Sequence, residues 1–266
     1  MLLAALGRAT DRIRLGSGGV MLPQHQPLVV AEQFRMLEAL NPGRIDLGIG
    51  SSLGFTPAVR RALRRERTST QEIEDDLREL VAFLDDEAEV TARPKTGRIP
   101  VHVLATRSGI DLAARLGLPV VLGGPIVQSP DLPERLEQYR SSFRQNAAQA
   151  QPHVIVSLDV FAAPDVDRAR ELALPEAWAM AMSRRTGEFP ALERPERILA
   201  QVWPDRVRDR MERHLAGVVF GTDAHVAARL RELVDASGAD EIMATTSTYD
   251  TTALAALDEA LVEAVG

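Results

Sequence analysis

The sequence contains no cysteine. That one absence removes disulfides, thiolate nucleophiles, iron–sulfur clusters and cysteine-type zinc sites together. Lysine is nearly absent too: Lys95 stands alone, and every other basic residue is arginine. Aromatic residues make up only 4% of the chain. A basic excess is also missing. Lys+Arg number 31 against 38 Asp+Glu, giving a formal charge of −7, which argues against a dedicated nucleic-acid binder. There is no apolar run of about 18 residues or more, so no membrane span is expected. The opening Met1–Leu6 is apolar but short and lacks a basic lead, so a signal peptide is not expected. A cytoplasmic location is the corresponding expectation.

What is present suits a globular protein. The 266 residues are 45% apolar, enough for a sizeable core. Strand-like and helix-like runs alternate almost throughout. Strands are expected at Arg12–Val20, Arg44–Gly50, Val101–Ala105, Pro119–Gly123, His153–Ala162 and Glu241–Thr246. Helices are expected at Leu2–Ala9, Leu28–Leu40, Glu72–Leu84, Ser108–Leu116, Leu132–Ala150, Asp223–Ala236 and Leu254–Val265. The stretch from about Asp165 to Gly221 begins helical, is interrupted by proline, and is too long for a simple connection. It reads as an insertion with helices of its own.

Repeated βα units imply parallel strands with helices outside them. The two solutions are a doubly wound open sheet and a (β/α)8 barrel, and a barrel typically takes about 250 residues. Only six strands are recognisable and the chain opens on a helix, so the barrel is expected to be incomplete at its N-terminus. It is expected to form one domain over residues 1–266, with the insertion at about 165–221.

In a parallel barrel, chemistry sits beyond the C-terminal ends of the strands. The most interpretable such stretch is Thr106-Arg107-Ser108-Gly109. Hydroxyls, a guanidinium and free backbone N–H groups at a helix start make an anion site suited to a phosphate monoester. The plainer reading is that Ser108 is an N-cap and Arg107 is solvated. Gly48 and Gly50 imitate a dinucleotide fingerprint, but Leu53 stands where its third glycine belongs. These glycines are better read as allowing a ligand or a neighbouring strand to approach the backbone. His25, in a proline-flanked strand-end loop, is the best placed of five histidines. His102, His153, His214 and His225 show no ligand spacing, so no catalytic metal is expected. No nucleophile elbow or triad pattern occurs. The arginine run at Arg60–Arg67 reads as solvated, or as part of an active-site loop.

The run Thr10 to Pro23, with His25 and Pro27 to Phe34, resembles the third strand and following helix of the bacterial luciferase-like monooxygenases. Leu37 to Gly50, Leu112 to Pro119, Tyr139 to Phe143, Gly221-Thr222 and Gly238 to Met243 are similar to that family as well. The resemblance covers nearly the whole chain in order and omits the family's first two βα units. The chain is therefore either a naturally shortened form or part of a longer protein.

The resemblance implies a barrel that binds reduced FMN as co-substrate, or the deazaflavin F420 in related branches. Such enzymes oxidise a small organic substrate with O2 or move hydride to and from F420. The spacing is nearest the FMN type. The resemblance further implies a non-proline cis peptide at Gly18–Gly19, and a cofactor cavity lined by Gly18, Gly19, Gly50 and Ser51 with His25 as the catalytic residue. Thr106, Arg107, Ser108 and Gly109 would hold the phosphate. A homodimer is the expected assembly, with a flavin reductase as a further partner. Two positions depart from the family: Ser51 stands where many relatives carry an arginine phosphate ligand, and Tyr249 stands where a histidine often precedes Asp250. A non-catalytic flavoprotein or partner subunit is the alternative reading, as is a truncated F420-dependent oxidoreductase.

Overall fold

The computed structural model describes residues 1–53, 56–105, 107–147 and 149–265; for Arg107 and residues 263–265 the description is of backbone alone. In chain order the elements are α1 (Leu2–Ala9), β1 (Leu15–Gly16), β2 (Val20–Met21), α2 (Pro27–Leu40), β3 (Ile45–Gly50), α3 (Pro57–Ala62), α4 (Thr70–Leu84) and β4 (Val101–Ala105). Then follow α5 (Arg107–Leu116), β5 (Val120–Gly123), α6 (Leu132–Ser142), β6 (Val154–Ala162), α7 (Val166–Thr186), α8 (Pro195–Leu199) and α9 (Asp205–Leu215). The last are β7 (Val219–Gly221), α10 (Asp223–Ser237), β8 (Glu241–Thr245) and α11 (Thr251–Val265). No described helix is long and apolar enough to cross a membrane.

The chain divides into two compact units. The first comprises residues 1–121 and 135–153. Its strands run parallel: β1 and β2 both pair with β3, and β3 pairs with β4. The backbone continues this order beyond β4, where Val103 N–H donates to Pro119 O. β3 is buried along nearly its whole length, as a strand covered on both faces must be. Helix α4 starts with a capping box. Ser69 Oγ accepts from Glu72 N–H at 3.1 Å, while the Glu72 carboxylate accepts from Ser69 N–H at 2.7 Å. Its far end is closed by Arg35 of α2, only 2% exposed, which donates to Phe83 O, Leu84 O and the Asp86 carboxylate. Gly117, at φ +64, ends α5 where a side chain would strike Arg144 O.

The second unit comprises residues 122–134 and 154–266. β6 is its spine. β8 runs parallel beside its first half, and β7 beside its end. Its core gathers Val160 and Phe161 of β6, Leu172, Leu174 and Trp178 of α7, and Met211 and Leu215 of α9.

The structure differs from the sequence expectation at four places. The first strand is split by Ser17-Gly18-Gly19 into β1 and β2. α6 stops at Ser142 rather than Ala150, because Arg144 N–H turns back to Ala114 O and the Asn146 amide donates to Gly117 O. α7 continues through Pro175 to Thr186. Proline costs a helix one hydrogen bond, but the residues around it (Leu172, Ala173, Leu174, Ala177, Trp178) are all buried, and that apolar burial outweighs the loss. β7 is a three-residue strand inside the stretch expected as an insertion, which also carries α7, α8 and α9.

Candidate functional site

In the first unit the C-terminal ends of β2, β3 and β4 lie side by side, fixed by the registers Met21↔Gly50 and Ile49↔Val103. Parallel strands end where their carbonyls and the following helix N-termini converge, which is where such folds bind ligands. Of the residues expected at the site, Gly50 ends β3, Ser51 follows it, His25 follows β2, and Ser108 and Gly109 follow β4, whereas Gly18 and Gly19 lie between β1 and β2. The Gly18–Gly19 peptide is cis. Ser17 Oγ donates to Gly48 O at 2.9 Å and accepts from Gly48 N–H at 3.1 Å, tying the β1–β2 connection to β3.

The glycines divide into two kinds. A Cβ on Gly19 would lie 2.6 Å from Gly48 O, and one on Gly48 would lie 2.1 Å from Ser17 O. These two glycines therefore serve the close approach of backbone to backbone. Gly50 is similar, with Met21 Sδ at 2.9 Å from its Cβ position. Gly18 differs: among the described residues nothing lies within 4 Å of its Cβ position, and the residue is exposed. It leaves bare backbone facing open space at the strand end.

Ser51 is exposed directly after β3. His25 is exposed after β2, its N–H donating to Leu22 O at 2.9 Å. At the end of β4, helix α5 begins at Arg107. Ser108 therefore sits inside the first turn and is not the N-cap of the plainer reading. Ser108 is exposed. A Cβ on Gly109 would lie 2.9 Å from Ala105 Cβ, so glycine there lets the first turn of α5 settle on the end of β4. Thr106 and the Arg107 side chain lie outside the described residues.

Toward the outside of β3, Asp46 receives a two-pronged contact from Arg14: Nε to Oδ2 at 2.8 Å and Nη2 to Oδ1 at 2.5 Å. His102 Nε2 lies 3.7 Å from the same carboxylate. Partial burial pulls the Asp46 pKa up, but His102 and Arg14 outweigh it and hold the group below its ordinary value.

The second unit has its own polar cluster. Asp159 of β6, Glu176 of α7 and His214 of α9 present donor atoms all within 4.8 Å of one another. Burial and the neighbouring Asp159 carboxylate push Glu176 up to about 7, a contact with Ser247 offsetting only part of this. Burial pushes the His214 imidazole down, against the pull of Asp159. Sequence spacing could not reveal this cluster, since its members come from three separate elements. The strand-end loop after β8 is held firmly. Arg168 Nη2 donates to Asp250 Oδ2 at 2.5 Å, and Asp250 Oδ1 accepts from Thr252 and Ala253 N–H at the start of α11. Tyr249 accepts from Arg194 Nε at 3.1 Å. Asp250 thus has a structural task, and the tyrosine at the preceding position joins an arginine contact.

The family profile described as luciferase-like monooxygenase matches residues 1–241. The chain belongs to the luciferase-like monooxygenase family. A relative from Escherichia coli (strain K12), named luciferase-like monooxygenase, is 34% identical over 257 residues, covering 94% of this chain and 76% of that protein. Among solved structures, apo-MsnO8 superposes with a TM-score of 0.86 at 29% identity, covering 99% of this chain and 81% of that one. Two more distant structures share the fold alone. The oxygenating constituent of 3,6-diketocamphane monooxygenase from Pseudomonas putida, in complex with FMN, has a TM-score of 0.69 at 17% identity and covers 99% of this chain and 82% of its own. An F420-dependent secondary alcohol dehydrogenase with an F420–acetone adduct has a TM-score of 0.69 at 17% identity, covering 99% and 83%. The fold class is therefore the luciferase-type (β/α) barrel in incomplete form, as the sequence predicted.

Proposed function

We propose that this member of the luciferase-like monooxygenase family is a flavin-dependent oxidoreductase that takes reduced FMN and O2 and oxidises a small organic substrate. The observation that carries the reading is the contrast among the strand-end glycines. Gly19 and Gly48 are filled by neighbouring backbone, while Gly18, beside them, offers a bare, open surface among the described residues. A flat aromatic ring system needs such a surface, and a side chain there would deny it. The residues present thus fit a flavin.

In this reading Gly18 and Gly19 form the wall against the ring, with Gly50 and Ser51 beside them. The first turn of α5 faces the phosphate with its unpaired N–H groups and the Ser108 hydroxyl; Gly109 seats that turn, and Thr106 and Arg107 complete the anion site. To His25 this reading assigns the task of holding or passing a proton through an imidazole nitrogen. When bound, reduced FMN would supply the electrons for oxygen chemistry, while the protein supplies orientation and a shaped site. F420 in place of FMN is the second reading, favoured by the shared fold of an F420-dependent alcohol dehydrogenase. Anaerobic titration of the purified chain with reduced FMN and with reduced F420, followed by admission of O2, separates the two. The FMN reading expects saturable binding of FMN and oxygen-dependent turnover. Binding of F420 alone selects the second reading, and flavin binding without turnover selects a non-catalytic flavoprotein.

Partners follow from the same reading. A flavin reductase would supply reduced FMN. A second copy would pair through α2, where Val29, Met36 and Leu40 are exposed apolar residues at a spacing that lines one helix face. Sedimentation analysis should then give a dimer, returned toward monomer by Met36→Glu.

A further inference from the structure

We propose that Asp159, Glu176 and His214 form a binding site for one divalent transition-metal ion, Zn2+ or Mn2+. The proposal stands apart from the flavin reading and concerns the second unit alone.

The geometry is that of a loosely preformed coordination shell. One donor comes from a strand and two from helices, and all donor atoms fall within 4.8 Å of one another. His214 Nε2 and Asp159 Oδ2 are 4.0 Å apart. Zinc–ligand bonds are about 2.0–2.2 Å, so two donors on one ion stand roughly 3–4 Å apart, within a small closure of the observed spacing. Asp159 is already aimed. Thr245 Oγ1 donates to Asp159 Oδ1 at 2.6 Å, leaving Oδ2 on the His214 side. That is the outer-shell support a metal carboxylate needs.

A second observation points to a missing cation. Glu176 Oε2 is buried and has no hydrogen-bond partner among the described residues. A buried carboxylate oxygen without a partner is costly, and here it faces another carboxylate. Among the described residues, neither Asp159 nor Glu176 has a lysine or arginine ion pair. A dication meets the two carboxylates charge for charge and satisfies the idle oxygen. Two carboxylates and an imidazole suit Zn2+ or Mn2+ better than Mg2+ or Ca2+, which prefer all-oxygen sites. The His214 and Asp159 side chains keep 20% and 27% of their exposure, so an ion has a route in. Three protein donors leave room for water or a ligand atom in the remaining positions. The cluster also stands at the C-terminal end of β8, since Asp159 is in register with Thr245.

The test uses the purified full chain, stripped with a chelator and titrated calorimetrically with ZnCl2 and with MnCl2. One saturable site per chain is expected. His214→Ala and Asp159→Asn should abolish it, and the nearly isosteric Glu176→Gln should weaken it by at least roughly tenfold, the lower end of what even outer-shell partners contribute. X-ray absorption at the zinc edge of the unmodified chain, which depends on no variant folding, should show a single imidazole among oxygen donors. Absence of saturable binding overturns the proposal and leaves a proton shared by the carboxylates as the means of relieving their repulsion. Undiminished binding in the three variants, or a spectrum with no imidazole or with several, overturns it equally.

Discussion

Ser17 and Gly48 exchange two hydrogen bonds through one hydroxyl: Oγ donates to the glycine carbonyl at 2.9 Å and accepts from its N–H at 3.1 Å. This bond pair fixes the connection between β1 and β2 against β3. It leaves no room for a side chain, because a Cβ on Gly48 would lie 2.1 Å from Ser17 O. Gly48→Ala is therefore expected to lower the stability of the first unit by about 1–3 kcal/mol, the usual cost of overpacking. Denaturant unfolding followed by circular dichroism reads this as a lower midpoint at unchanged slope.

Arg35 and the end of α4 give a second prediction. Its guanidinium satisfies two carbonyls that the helix leaves unpaired, Phe83 O and Leu84 O, and meets Asp86 as well. Arg35→Met keeps the apolar stem and removes every one of these donors. A loss of about 2–3 kcal/mol is expected from the stranded carbonyls and the broken ion pair. Hydrogen exchange should show the loss concentrated in the last turn of α4.

The Asp46 contacts predict a pH dependence. Its folded-state pKa lies below the ordinary value of 3.8. A depressed carboxylate stabilises the fold above its unfolded pKa, and that contribution disappears as pH falls through the folded value. Asp46→Asn should therefore be less stable than the unaltered chain at pH 7, and the gap should close on acidification below 3.8. Arg14 is half exposed, so solvent screening limits the gap to roughly 1 kcal/mol or less. Paired urea titrations from pH 7 to 3 measure it. A gap that widened toward acid would contradict the assignment.

Local signals were read from the sequence more easily than distant ones. Gly117 and Gly238 mark helix ends because both adopt positive φ, a backbone requirement visible in the residue itself. The reciprocal bonds of Ser69 and Glu72 start α4 at Thr70, two residues before the Glu72 at which its apolar spacing becomes legible. The family resemblance added what local rules could not, including the cis peptide at Gly18–Gly19. Pro175 misled, because the burial that carries α7 past it is tertiary. β7 gave no signal, being three residues that form a strand only by pairing with the end of β6. Asp159, Glu176 and His214 were invisible as a group for the same reason: folding alone brings them together.

Gly18 and Gly48 make opposite predictions, and the difference tests the central claim. Gly48 is closed in, whereas the Cβ position of Gly18 meets nothing within 4 Å among the described residues. Gly18→Leu should therefore fold with the unaltered chain's unfolding midpoint, yet obstruct the surface assigned to the flavin ring. The decisive measurement is anaerobic titration of the unaltered and Gly18→Leu chains with reduced FMN, followed by fluorescence or absorbance. The account predicts one saturable flavin per unaltered chain and loss of that binding in a fully folded Gly18→Leu chain. Equal flavin affinity in the two folded chains would contradict it.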